Sequence, residues 1–369
     1  MSQSNDHEPD ASDLRLLNAL QVEPRASWRA ISPLLGLDPA TLSRRWQRLE
    51  DAGIAWTTGV LGRELLYGSA FIEVECAPDA LRLVADTLAA DPEVSVLEFT
   101  AGGRDLLVTL TISDQQVLWN YVTDRFAQLP GVRVVRTHVI IDGIVEGGAW
   151  RLRELTTAET AGIPLPSRPR ARAPRTVAAE LQQILALELA RDGRASASAI
   201  GAAHGVAPQR ISDAIATLRA SGELRFRTDV SRSISRWPTS VWYFIEVPAT
   251  VIESLRVALP KIPEIRLAAL CGSRYNLLLA VWLRNLRDIH RFEASLERAV
   301  PGLRIADRSI VTRLAKHVGR HLDENGRVIR HIGGKSKSIG LHEFGPKHCC
   351  ETRTSGGCPK FRGTSVGAR

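Results

Sequence analysis

Three arginines within five residues are the first groups in this chain with recognisable chemistry to offer. Arg44, Arg45 and Arg48 stand beside Thr41, Ser43 and Gln47, interleaved with the apolar Leu42, Trp46 and Leu49. The +4 and +3 spacing of those apolar residues predicts one buried helix face, leaving the polar ones on the other. Guanidinium groups so presented match guanine O6 and N7 bidentately and also hold phosphates. A charged helix face is more often merely solvated, but three arginines on this helix favour contact with DNA. A second group is the run Gly102, Gly103, Arg104, Asp105. Amide N–H groups at a glycine turn hold a carboxylate, Arg104 adds charge, and Asp105 suits an ammonium. The same residues also make an ordinary hairpin turn, and on sequence alone the two readings weigh equally.

Other residues invite chemistry less convincingly. His348, Cys349, Cys350 and Cys358 look metal-like, yet adjacent cysteines chelate poorly and no Cys-x-x-Cys pair is present. His138 and His204 have no serine, cysteine or acid at a spacing that suggests a triad. No catalytic residue, metal or cofactor is therefore expected. Trp46, Trp119, Trp242 and Trp282 fall on apolar faces and are expected in the core.

Something must position these groups, and the chain is long enough for several domains. It has 369 residues, 44% apolar and 24% charged, with five irregularly spaced cysteines. That composition excludes a disulfide scaffold and fits a reducing cytoplasm. No run is apolar enough to span a bilayer, and the polar start is unlike a signal peptide. The net charge of +8 is concentrated. Arg168, Arg170, Arg172 and Arg175 lie among prolines with no acid between them. Lys335–Arg369 holds seven basic residues against two acidic ones. The rest of the chain is close to neutral, so the DNA argument rests on one helix rather than on pI.

The chain also repeats itself. Arg25-Ala26-Ser27 recurs as Arg194-Ala195-Ser196, and Gly36, Pro39, Leu49 and Gly53 recur as Gly205, Pro208, Leu218 and Gly222. Further on, Leu129–Val134 recurs as Val300–Ile305, two residues out of step. Each copy opens with three short helices. In the first, Ser27 is the expected N-cap, Gly36 makes the turn, and Asp38-Pro39 starts the third helix. This predicts a helix-turn-helix, with 54–61 as a small wing or connector. Then Ile72, Val74 and Cys76 alternate with Glu73 and Glu75 as on a half-buried strand. The pattern continues as β-α-β-β-α-β, the ferredoxin-like order.

The fold expected is α+β: two winged helix-turn-helix domains, each followed by a ferredoxin-like domain. Boundaries fall at 1–10 (disordered), 11–64 (helix-turn-helix), 65–145 (ferredoxin-like), 146–176 (Pro/Arg linker), 177–234 (helix-turn-helix), 235–318 (ferredoxin-like) and 319–369 (basic disordered tail). In the second recognition helix Asp213, Ala214 and Thr217 replace Arg44, Arg45 and Arg48, so Gln209 and Arg210, with Arg219, Arg225 and Arg227, are expected to contact phosphates only, or the second copy to be structural. The first head is thus the expected sequence reader. The second turn, Cys271–Asn276, replaces the aspartate by Asn276 and a glycine by Ser273.

The motifs Arg25-Ala-Ser, Gly36-Leu-Asp-Pro, Leu42-x-x-x-Trp46-x-x-Leu49-x-x-x-Gly53 and Gly102-Gly-Arg-Asp105-Leu-Leu, in this order, resemble the Lrp/AsnC (feast/famine) family of bacterial transcription regulators. The resemblance covers roughly residues 11–145 and 177–318. It implies a DNA-binding regulator whose second domain dimerises and takes a small effector, commonly an amino acid. The implied effector residues are Gly102, Gly103, Arg104 and Asp105, with Ser273 and Asn276 in the second copy. It also implies double-stranded DNA as partner, homo-oligomers and a cytoplasmic, nucleoid-associated location. Two alternatives remain: a siroheme decarboxylase-like enzyme of the same architecture, and an amino-acid sensor that does not bind DNA.

Overall fold

A computed structural model describes residues 8–62, 69–112, 115–166 and 168–329. Three helices come first: α1 (Ala11–Val22), α2 (Trp28–Leu35) and α3 (Pro39–Asp51). Their starts are written locally. Asp10 and Asp13 form a reciprocal capping box on α1, Ser27 caps α2, and Asp38 caps α3 with Pro39 at its first position. Gly36 closes α2 in the left-handed region, at φ 67°. Leu17, Leu20, Ile31, Leu42 and Leu49 bury completely between these helices, each contributing about 1.5–3 kcal/mol relative to exposure.

After β1 (Ala55–Leu61) come β2 (Ala70–Cys76), α4 (Leu81–Ala90), β3 (Val94–Ala101), β4 (Leu106–Leu110), α5 (Gln115–Asn120) and β5 (Val132–Val145). A connector carries α6 (Thr157–Ala161). The same order then recurs as α7 (Ala179–Arg191), α8 (Ala197–His204), α9 (Pro208–Ala220), β6 (Leu224–Val230), β7 (Thr239–Glu246), α10 (Ile252–Ala258), β8 (Ile265–Cys271), β9 (Leu277–Leu283), α11 (Asp288–Ala299) and β10 (Arg304–His317). A two-residue β11 (Arg320–His321) follows.

The strands close on themselves. β10 pairs with β7 through Arg304–Val311 and with β3 through Ile310–His317. Likewise β5 pairs with β2 through Val132–Val139 and with β8 through Ile140–Val145. With the β2–β4, β3–β4, β7–β9 and β8–β9 ladders, eight strands form a ring. Two long strands therefore stitch two small sheets edge to edge. Helices cover the outer faces over separate apolar clusters. Between the sheets lies a third cluster around Phe71, Trp242, Phe244 and Leu278.

Several expectations are corrected. Residues 54–61 form no wing. β1 pairs antiparallel with β6, 169 positions away in sequence, and the Thr57 and Thr228 hydroxyls meet at 3.1 Å. Glu73 does not face solvent. It is 2% exposed, because the outer side of β2 meets the opposite sheet. The front of the predicted linker is packed rather than free: Trp150, Leu152 and Ile163 bury against α1, whose Asn18 and Gln21 side chains accept the Glu154, Leu155 and Leu152 amides. Residues 319–329 are not tail either. Leu322 is buried and the Val328 amide donates to Gly53 O. Trp119 is 64% exposed, outside any core. The region Lys335–Arg369, with His348, Cys349, Cys350 and Cys358, lies outside the described residues.

Candidate nucleic-acid interface and effector turn

The third helix presents its polar residues unequally. Arg44, Gln47 and Arg48 are exposed, and Thr41, Ser43 and Arg45 are half-buried. Arg44 donates only to the Thr41 hydroxyl, at 3.1 Å on its own helix. Gln47 reaches Asp51. Arg45 and Arg48 are held by α1: Arg45 Nη1 lies 2.8 Å from both Asp10 and Asp13, and Arg48 Nη2 lies 2.9 Å from Asp13. Asp13 is fully buried. The hydrogen bonds that Arg45 donates to Asp10 and then Asp13 raise its guanidinium above the ordinary value. The expectation of three equivalent reading arginines is therefore corrected. Arg45 fastens α3 onto α1, Arg48 divides between that clasp and solvent, and Arg44 is the group left to reach outward. Sequence spacing sees the helix face but not the acids that meet it from another helix.

The second head differs in what covers it. Gln209 and Arg210 at the start of α9 are exposed, and Gln209 donates to Asp213 at 3.2 Å. Asp213 also accepts two hydrogen bonds from Arg170 of the Pro/Arg segment, at 2.9 and 2.6 Å. One turn on, the Thr217 hydroxyl donates to Pro174 O at 3.0 Å. The segment thus lies along the polar side of α9. No such strap touches α3 among the described residues.

The effector turn is built, but not as expected. Gly102 and Gly103 are exposed at the end of β3, and Gly102 takes φ 129°. Arg104, however, points inward and is 4% exposed. Its Nε donates to Glu73 at 2.9 Å, its terminal nitrogens donate to Ser309 and Asp307 on β10, and its guanidinium lies 3.8 Å over the Phe244 ring. All three of its nitrogens are engaged and two carboxylates already pair with it, so it is turned away from an effector at the turn. Asp105 accepts the Cys76 amide at 2.7 Å. At the matching place in the second half, Asn276 accepts the Val247 amide at 2.9 Å and returns a bond to Val247 O. Both side chains tie a turn to the end of a strand, which is why an amide can replace the acid. Ser273 is half-exposed.

Sequence reasoning also missed the partners of His138. Its ring nitrogens lie 2.7 Å from Ser273 Oγ and 2.7 Å from Glu73 Oε1. The three residues come from β5, the second turn and β2, so no local spacing could have grouped them. With Arg104 they form a buried polar line between the two sheets. Burial would raise the Glu73 carboxyl, but the His138 and Arg104 contacts outweigh it and hold the group below its ordinary value.

Likeness to known proteins now has geometry to attach to. Residues 10–50 match the AsnC-type helix-turn-helix domain, and residues 69–150 match the Lrp/AsnC ligand binding domain. An uncharacterised HTH-type transcriptional regulator of Pyrococcus abyssi is 31% identical over 143 residues, covering 37% of this chain and 95% of that protein. The leucine-responsive regulatory protein of Salmonella typhimurium is 28% identical over 141 residues, 37% of this chain and 86% of its own length. Among solved structures, the siroheme decarboxylase NirDL aligns over 85% of this chain and 95% of its own, with a TM-score of 0.52 and 15% identity. That last likeness is one of fold and assigns no reaction. On the matched domains, and on a relative 31% identical that is matched over 95% of its own length, the chain belongs to the Lrp/AsnC family.

Proposed function

We propose that the protein is a sequence-specific, DNA-binding transcriptional regulator in which two family units are fused into a covalent pseudo-dimer. The observation that carries this reading is the α3 face, where Arg44, Gln47 and Arg48 stand exposed on a helix whose fold and capping are those of a recognition helix. Repetition of the element order and the shared β1–β6 ribbon support the pseudo-dimer. The first head reads bases through Thr41, Ser43, Arg44, Gln47 and the free side of Arg48. The second contributes phosphate contacts through Gln209 and Arg210, with the Arg170 strap limiting its reach. The DNA site is accordingly an imperfect palindrome. A small effector biases the disposition of the heads. The protein acts in the cytoplasm, on the nucleoid, and associates further into oligomers. Selection of bound sequences from a random duplex pool, followed by footprinting, tests this reading. A shared motif with one well-defined half-site and one degenerate half-site is expected. Recovery of no motif, or of a perfect palindrome, overturns it.

A further inference from the structure

A cleft of about 420 Å³ opens where the first reading head, the connector and the second sheet half converge. Asn18 and Val22 of α1 line it, as do Pro260, Ile262 and Ile265. Trp150 and Leu155 of the connector add apolar surface, and Thr157 and Thr160 add hydroxyls. Its volume suits a small molecule. Two cations line it, Arg151 and Arg153, and no acidic residue does. Arg151 uses Nη1 on the Gly148 and Trp150 carbonyls, and it has no carboxylate partner among the described residues. Burial, then repulsion from Arg227, lowers its guanidinium below the ordinary value. A half-buried cation without an anion is costly, and a bound anion removes the cost. Arg153 holds φ 65°, which a side-chain-bearing residue rarely adopts, and its guanidinium has no partner among the described residues. Strain of this kind persists where the surroundings or a ligand require the geometry.

We infer that this cleft binds a small carboxylate with an apolar body and no ammonium group, such as a branched-chain or aromatic 2-oxo acid. Arg151 and Arg153 take the carboxylate, and the Trp150, Ile262 and Ile265 surfaces take the body. An α-amino acid is disfavoured, because its ammonium would sit beside two guanidinium groups with no acid to receive it. The ligand bridges α1 of one head to the opposite sheet half, so it is placed to change how that head sits. Only this coupling rests on the regulator reading.

Isothermal titration of the full chain, without DNA, tests the site. The probes are 4-methyl-2-oxopentanoate and phenylpyruvate, matched against leucine and phenylalanine. The oxo acids are expected to bind at least about tenfold more tightly than the amino acids. Arg153→Gly removes the guanidinium and relieves the positive φ, so it is expected to weaken the oxo acids at least about tenfold while leaving Tm unchanged or higher. Ile262→Trp, which fills the cleft, is expected to abolish binding. Absence of heat with both oxo acids, equal binding of amino acids, or indifference to Arg153→Gly overturns the inference. A wild-type chain that footprints DNA yet shows no heat sinks the cleft alone. One that binds oxo acids yet selects no DNA motif sinks the regulator reading alone.

Discussion

Arg25 and Arg194 clasp each other's loops reciprocally. Arg25 donates to Gly193 O and, at 3.0 Å, to Ala195 O, and Arg194 donates to Pro24 O and, at 2.9 Å, to Ala26 O. Each acceptor lies 169 positions from its counterpart, so the bonds obey a local two-fold. The Arg25 guanidinium stacks over Phe226 and the Arg194 guanidinium lies 4.0 Å over Trp28. Burial, then mutual repulsion, brings the Arg194 group down to about 10. The clasp is the Arg-Ala-Ser repeat seen in the sequence, and it locks one helix-turn-helix to the other. Arg25→Ala or Arg194→Ala should each cost roughly 1–3 kcal/mol by leaving carbonyls unpaired. The double variant should cost less than their sum, because each single change already opens the clasp. Urea unfolding of the four proteins measures the coupling, and full additivity would contradict a shared clasp.

Arg44 and Arg48 should separate binding from stability. Arg44→Ala is expected to lower affinity for the selected DNA by about tenfold or more, with unfolding free energy unchanged. Arg48→Ala strips a bond from the fully buried Asp13 and should cost about 1–3 kcal/mol of stability as well. Paired gel-shift and denaturation measurements decide this; equal stability losses for both would refute the distinction.

Arg104→Met should destabilise strongly, by about 3–5 kcal/mol, because it leaves the buried Glu73 with His138 and only a 3.9 Å contact from the half-exposed Arg136. The ion pair also sets an acid response. Glu73 is held below its ordinary 4.5, so its stabilising share is complete above that pH and lost as pH falls through the folded value. Thermal melts between pH 6 and 3 should show a steeper decline for the wild type than for the double variant Glu73→Gln, Arg104→Met. Parallel curves would sink this account.

Lys316 should show the opposite slope. Its ammonium is buried and donates to Asp91 O at 2.7 Å, and burial brings it down to about 8 from 10.5. A lowered lysine carries its penalty while charged in the fold, so stability should rise as pH climbs from about 8 to 10.5, by on the order of 3 kcal/mol. Burial pushes the Cys76 and Cys271 thiols up, to about 11 and about 12, which pulls stability down above pH 9. The difference between wild type and Lys316→Met isolates the lysine, and a flat difference curve would disprove its role.

What the sequence disclosed was local and periodic. Caps at Ser27 and Asp38, the helix face of Leu42, Trp46 and Leu49, and the β-α-β-β-α-β order were all legible, because each is written within a few residues, whereas Asp10, expected in a disordered start, caps α1 and holds Arg45. Ring closure was not. β5 and β10 each carry two pairing registers along one continuous strand, and nothing in Val132–Val145 marks where one partner ends and the next begins. Glu73 was misread for a related reason. Alternation finds two faces on a strand but cannot tell which second layer covers them. Arg45, Arg48 and Arg104 looked free because Asp13, Glu73 and Asp307 meet them from other elements.

The buried line between the sheets has a consequence for the company this protein keeps. The ladder registers of the two halves superpose at an offset of 171, since Phe71 faces His138 as Trp242 faces Ser309. At matched positions the two halves carry different chemistry: Glu73 against Phe244, Arg104 against Tyr275, His138 against Ser309, Arg136 against Asp307. Two first halves joined in the same way would set Arg104 against Arg136, and two second halves would set Tyr275 against Asp307. At the Arg104 position, then, the first half is complemented by the second and not by a copy of itself. Exchanging the second half for a copy of the first would therefore leave the buried Arg104 facing a cation where Asp307 now stands.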